Sequence, residues 1–102
     1  MNDADKVIEL RGAEVFDRYV DATPYLLTSQ YVTAISVDHT PPTGGVAAAY
    51  TITPDHAYPS ATGAQVTADA AFEDAGWHLV DVNLTLTGGA IKTYRYRVFW
   101  GG

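Results

Sequence analysis

Aspartate and histidine stand side by side twice in this chain, as Asp38-His39 and Asp55-His56, and a third histidine, His78, follows Trp77. Carboxylate oxygen and imidazole nitrogen are donors that zinc and related ions accept. Both pairs sit in proline-containing stretches, Val37-Asp38-His39-Thr40-Pro41 and Pro54-Asp55-His56-Ala57-Tyr58-Pro59, where an aspartate beside a turn is ordinary loop chemistry. If residues 46–53 form one strand, about eight residues at ~3.3 Å each hold the two pairs ~25 Å apart. Two structural loops are therefore expected, and no metal site.

The other chemistry-bearing residues lead to the same reading. His78 has no acidic or nucleophilic motif beside it and reads as a packed or solvent-facing side chain. Ser29, Ser36 and Ser60 lack the Gly-x-Ser-x-Gly turn of an activated serine, and no glycine loop follows a strand to cradle a phosphate. Asn83-Leu84-Thr85 matches a glycosylation acceptor but falls inside an expected strand. Asp3 with Asp5, and Glu73 with Asp74, lack the spaced oxygen ligands of a calcium loop and read as solvated charge. No catalytic residue, cofactor or small-molecule substrate is expected.

The aromatic residues point to a different function. Seven tyrosines and two tryptophans occur in 102 residues. In the last segment Tyr94, Tyr96, Val98 and Trp100 fall on one face by alternation, and Thr93, Arg95, Arg97 and Phe99 on the other. The first set suits a core. Arginine mixed with aromatics on an outer face is the composition that protein interfaces favour over bulk surface. A partner contact is accordingly expected at Arg95, Arg97 and Phe99, together with Trp100.

The elements that position these residues are mostly strands. Residues 77–87 and 91–100 alternate with a period of two on either side of Gly88-Gly89-Ala90, which predicts a long β-hairpin. Residues 31–38 and 46–53 alternate likewise, and the stretch from Asp38 to Gly45, with Pro41, Pro42, Gly44 and Gly45, predicts a wide hairpin between them. Residues 64–72 form a further strand, weaker because alanine favours helix. Residues 6–11 are read as an opening strand, and 13–21 as one or two helical turns stacking Phe16 and Val20, ended by Pro24. Residues 25–28 are a short strand or an extended lead-in. The expected fold is all-β: an antiparallel β-sandwich or small barrel, immunoglobulin-like in architecture without the Cys-Trp-Cys pattern, with at most one short N-terminal helix.

Composition bounds the rest. The length suits a single β-rich domain spanning 1–102, with residues 1–5 as a polar arm. With no cysteine, stability must come from packing or assembly. No basic-then-apolar leader and no apolar run of about 18 residues is visible, so neither export nor a membrane is expected. The net charge is −6, and no Lys or Arg occurs between Tyr19 and Ile91, an interval that carries seven Asp and Glu residues. Phosphate backbones need several cationic contacts, so nucleic acid is not an expected partner. The strands from Tyr31 to Thr53 carry only Asp38 as charge, although lone sheet edges are usually blunted by charge, so a covering neighbour or a homo-oligomer is expected.

An acidic, cysteine-free β domain rich in Ala, Thr, Gly and Tyr, ending as Tyr94-Arg95-Tyr96-Arg97-Val98-Phe99-Trp100-Gly101-Gly102, resembles the accessory virion proteins of tailed bacteriophages. The resemblance is one of style over the whole chain, without a diagnostic motif, and no functional residue is carried over from it. It implies a non-enzymatic virion protein, present in many copies, whose partner is the major capsid or tail protein: a capsid decoration or cement protein, or a tail or head-tail joining subunit. Two other readings stay open. One is a carbohydrate-binding or adhesion module stacking a sugar on Tyr58, Trp77 or Trp100, and the other is a small acidic inhibitor that mimics nucleic acid.

Overall fold

The computed structural model describes residues 5–102. The expected polar arm, with Asp3, lies outside the described residues, apart from the backbone of Asp5, where the first strand begins. Seven strands follow in chain order: β1 (Asp5–Leu10), β2 (Asp17–Asp21), β3 (Val32–Thr40), β4 (Tyr50–Pro54), β5 (Gly63–Ala68), β6 (Gly76–Leu86) and β7 (Ile91–Trp100). They form a four-stranded sheet in the order β1-β7-β6-β3 and a three-stranded sheet in the order β2-β5-β4. Four of the strand pairs are antiparallel, and β1 joins β7 in parallel, with Ile8 opposite Val98. The second, fourth and fifth strands in one sheet and the third, sixth and seventh in the other is the split of an immunoglobulin-type sandwich.

Alternation makes the sandwich. Along β6 His78, Val80, Val82, Leu84 and Leu86 are buried while the residues between them are not, and along β7 the buried set is Tyr94, Tyr96 and Val98. The smaller sheet answers with Val20, Ala64, Val66 and Ala68. Its alanines leave room for rings: Phe16 meets Tyr96 and Tyr50 edge-on, at centroid distances of 5.2 and 5.9 Å. At the far end the Tyr94 hydroxyl crosses between layers and donates to the Asp21 carbonyl.

Four expectations need correction. Residues 17–21 are a strand, not helical turns, because Arg18 to Asp21 pair with β5 and the Ala68 amide reaches the Phe16 carbonyl (2.8 Å). A spacing of four places Phe16 and Val20 on one face in either period, so it did not discriminate. Pro24 does not end a helix but opens a short 3₁₀ turn, Thr23–Tyr25, after which the chain is extended at Leu26. β3 and β4 do not form a hairpin: β3 pairs with β6 and β4 with β5, so residues 41–49 cross from one sheet to the other. Finally, residues 46–49 lie outside any strand, and β5 stops at Ala68 rather than Phe72.

Candidate docking face

The outer face of the four-stranded sheet is built by the side chains that alternation turns away from the core. Register lines them up across the strands. Val7, Arg97, Leu79 and Thr40 are successive neighbours from β1 to β3, and Glu9, Phe99 and Trp77 form the next row. Val7 is 67% exposed and Trp77 57%, and the Trp77 and Phe99 rings meet edge-on at 5.3 Å. A shallow groove of about 640 Å³ runs over this surface, lined by Val7, Trp77, Leu79, Thr40, Arg95 and Arg97 among others.

The two arginines of this face differ. Arg95 is held in a two-pronged bond by Asp81, its Nε and Nη2 lying 2.9 and 3.1 Å from the two carboxylate oxygens. Asp81 faces Asp38 across the β3–β6 pair, and Asp38 in turn accepts from the Asn83 amide at 3.0 Å. Asn83 also accepts the Thr93 hydroxyl at 2.7 Å, so its side chain is spent on cross-strand bonds. Arg97, one row closer to Trp77 and Phe99, is exposed between the apolar side chains of Val7 and Leu79.

The structure therefore brings Arg95, Arg97 and Phe99 onto one surface and places Trp100 on the other side of the strand. Trp100 is half-buried against the core, and its indole Nε1 donates to the Gly12 carbonyl at 3.1 Å. Trp77, Leu79 and Val7 belong to the face; from the sequence Trp77 was named only as a residue on which a sugar could stack, and Leu79 and Val7 were not singled out. For Trp77 and Leu79 the signal was present: a two-residue alternation opposite His78 and Val80, with the register fixed by the glycine turn. For Val7 it was absent, since the parallel pairing of distant ends leaves no local mark.

No protein-family model and no curated protein matches this chain. Chemistry has to be read from the geometry alone, and the histidines are the natural place to look. His56 is exposed on its loop, 3.4 Å from the Asp55 carboxylate. Asp55 is occupied locally by the Thr62 amide and hydroxyl, which hold its carboxyl below the usual range against the opposing effect of burial. His39 lies within β3, not in a loop, and meets His78, which is 2% exposed, ring to ring. Among the described residues no cluster of three or more His, Asp or Glu is placed to hold a metal ion.

The outside of the smaller sheet is polar and already bonded to itself. Asp17 accepts from Gln65 (2.6 Å) and Thr67 (2.7 Å), bonds that lower its pKa, and Asp69 accepts from Thr51 (2.5 Å). The four-stranded face carries its apolar patch at the end where Val7, Leu79, Trp77 and Phe99 meet.

Proposed function

We propose that this chain is a non-enzymatic structural protein that docks on a larger assembly through the outside of its four-stranded sheet. In the most specific form of this reading it is a decoration or cement protein on the capsid of a tailed bacteriophage, with the major capsid protein as its partner. A place in the tail or the head-tail joint is the near variant. The observation that carries the docking reading is the patch around Arg97, in which exposed Val7 and Trp77 adjoin the partly exposed Leu79 and Phe99. Tryptophan and arginine are the residue types in which binding energy concentrates, and a shallow, broad surface suits a protein partner better than a small substrate. The virion setting rests on the sequence resemblance. A ligand that binds only the assembled shell stabilises it by mass action, and lattice symmetry repeats each modest contact many times.

Quantitative mass spectrometry of particles purified from the source of this chain tests the assignment. The chain is expected in the particle fraction, at a copy number in fixed proportion to the major capsid or tail protein. Its absence from particles sinks the virion reading and leaves the docking face to another partner.

A second reading has one observation in its favour: Trp77 lies open at the groove beside Thr40 and Arg97, an arrangement on which a sugar ring could stack. Glycan-array binding that disappears in Trp77→Ala would move the assignment to a carbohydrate-binding module.

A further inference from the structure

A closed circuit of hydrogen bonds ties the crossing segment 41–49 to β3, β6 and the connection after β5, beside the groove of the outer face, which Pro41 and His78 also line. The Ala48 amide donates to His39 Nδ1 (2.9 Å), His39 Nε2 lies 2.9 Å from His78 Nδ1, and His78 Nε2 lies 2.6 Å from the Asp74 carbonyl oxygen. The Asp74 carboxylate then accepts the Val46 amide at 2.8 Å, which returns the circuit to the segment where it began.

Each bond dictates the next. An amide only donates, so His39 Nδ1 offers a lone pair and the ring proton sits on Nε2. That proton points at His78 Nδ1, which must accept. His78 Nε2–H is then left facing a carbonyl, which can do nothing else. One tautomer of each ring closes the circuit, and both rings are neutral in it.

We propose that this circuit is an acid-released latch: one proton added to the His39–His78 pair frees residues 41–49 while the two sheets stay packed. This holds whether or not the docking reading does. A proton on His39 Nδ1 opposes the Ala48 amide, and one on His78 Nδ1 opposes His39 Nε2–H. The Tyr50 hydroxyl, 3.0 Å from His39 Nδ1, can turn round and accept, but the Ala48 amide cannot. Phe72 packs against both rings at 4.5 Å, so water does little to compensate a charge there.

The titratable groups around His39 are few. Tyr50 faces it from β4, kept neutral because burial raises its pKa, His78 from β6, and Asp74 from the connection after β5, the last favouring the charged ring. Desolvation first, and His78 second, hold His39 down at about 4 against an ordinary 6.5. The released form, with His39 in water, takes up a proton at a pH where the latched form does not. The latch is therefore fully held above pH 6.5 and weakens as pH falls from there toward 4. The segment's other backbone bonds given by the structure are the Gly45 amide to Pro42, which is internal, and the Asp69 amide to Ala49 (2.9 Å), while Ala48 also packs against the core.

Amide exchange followed by NMR from pH 7 to pH 4, corrected for intrinsic rates, tests the latch. Val46 and Ala48 are expected to lose about tenfold or more of their protection relative to Val82 in the core. Long-range proton–nitrogen spectra at pH 7 are expected to show Nε2–H on both rings. His39→Gln can still accept from Ala48 and donate to His78 but leaves His78 as the one protonation site of the pair, so the acid sensitivity shrinks, whereas Asp74→Asn still accepts from Val46 and keeps it in full. Protection at Val46 and Ala48 that tracks Val82 down to pH 4 overturns the proposal, as does Nδ1–H on His39 at pH 7. Acid release that is undiminished in His39→Gln and vanishes in Asp74→Asn overturns it too. The wild-type exchange and tautomers decide the matter even if a variant does not fold.

Discussion

Gly63 shows how single residues fix this sandwich. On β5 it lies opposite Asp21, and the Tyr19 ring folds over it; an added Cβ would stand 2.5 Å from the Tyr19 hydroxyl oxygen and 2.6 Å from the Val20 carbonyl oxygen. The tyrosine can swing aside, but the carbonyl belongs to the paired strand and cannot. Gly63→Ala is therefore expected to cost about 2 kcal/mol or more in urea unfolding, and a loss within a few tenths would mean that β2 and β5 are not so closely paired. Tyr94 acts across the layers instead. Tyr94→Phe removes the donor to the Asp21 carbonyl and leaves that acceptor near the core, for an expected loss of about 1–2 kcal/mol in the same measurement. The histidines mark the limit of what single residues disclosed. From the sequence His78 stayed open as packed or solvent-facing, and the structure buries it at 2% exposure. That it meets His39 was not legible, because the contact depends on the register between β3 and β6, which only the folded sheet sets.

Among the elements, the β6–β7 hairpin was the most legible, and its turn explains why. Gly88 and Gly89 have φ of +95° and +97°, with nothing within 4 Å of a Cβ placed on either, so the requirement there is of the backbone alone. Gly88→Ala is expected to cost about 1 kcal/mol, less than Gly63→Ala, and a thermal melt ranking the two in the opposite order would contradict this division between backbone and steric demands. β3 was legible by the same period of two, although its inward face, Thr33, Ile35, Val37 and His39, is only half-buried. Residues 46–53 read as one alternation, yet at its start the Val46 and Ala48 amides go to the Asp74 and His39 side chains instead of a neighbouring strand. Periodicity reports which side chains are apolar, not what the backbone bonds to. The N-terminal strands were the least legible: β2 shares a four-residue apolar spacing with a helix, and the parallel partner of β1 lies at the other end of the chain.

At the scale of the whole molecule, the two sheets present unlike surfaces. The smaller sheet turns outward aspartates and threonines that satisfy one another, while the larger turns outward Trp77, Phe99, Leu79 and Val7 around Arg97. Three of the four residues expected from the sequence at a partner contact, Arg95, Arg97 and Phe99, share this surface, since alternation along β7 is enough to group them. Trp100 was grouped with them by type, and its indole is instead bound to Gly12 on the far side. On the proposed reading, the outer face of the larger sheet becomes covered in the assembled state while the other sheet does not. The direct test is hydroxyl-radical footprinting of the chain free and bound to its particle, read at Trp77 and at Tyr19, which is 51% exposed on the smaller sheet. The account predicts that binding suppresses oxidation of Trp77 and leaves Tyr19 unchanged. Equal oxidation of Trp77 in both states, or protection of Tyr19 in its place, would contradict it.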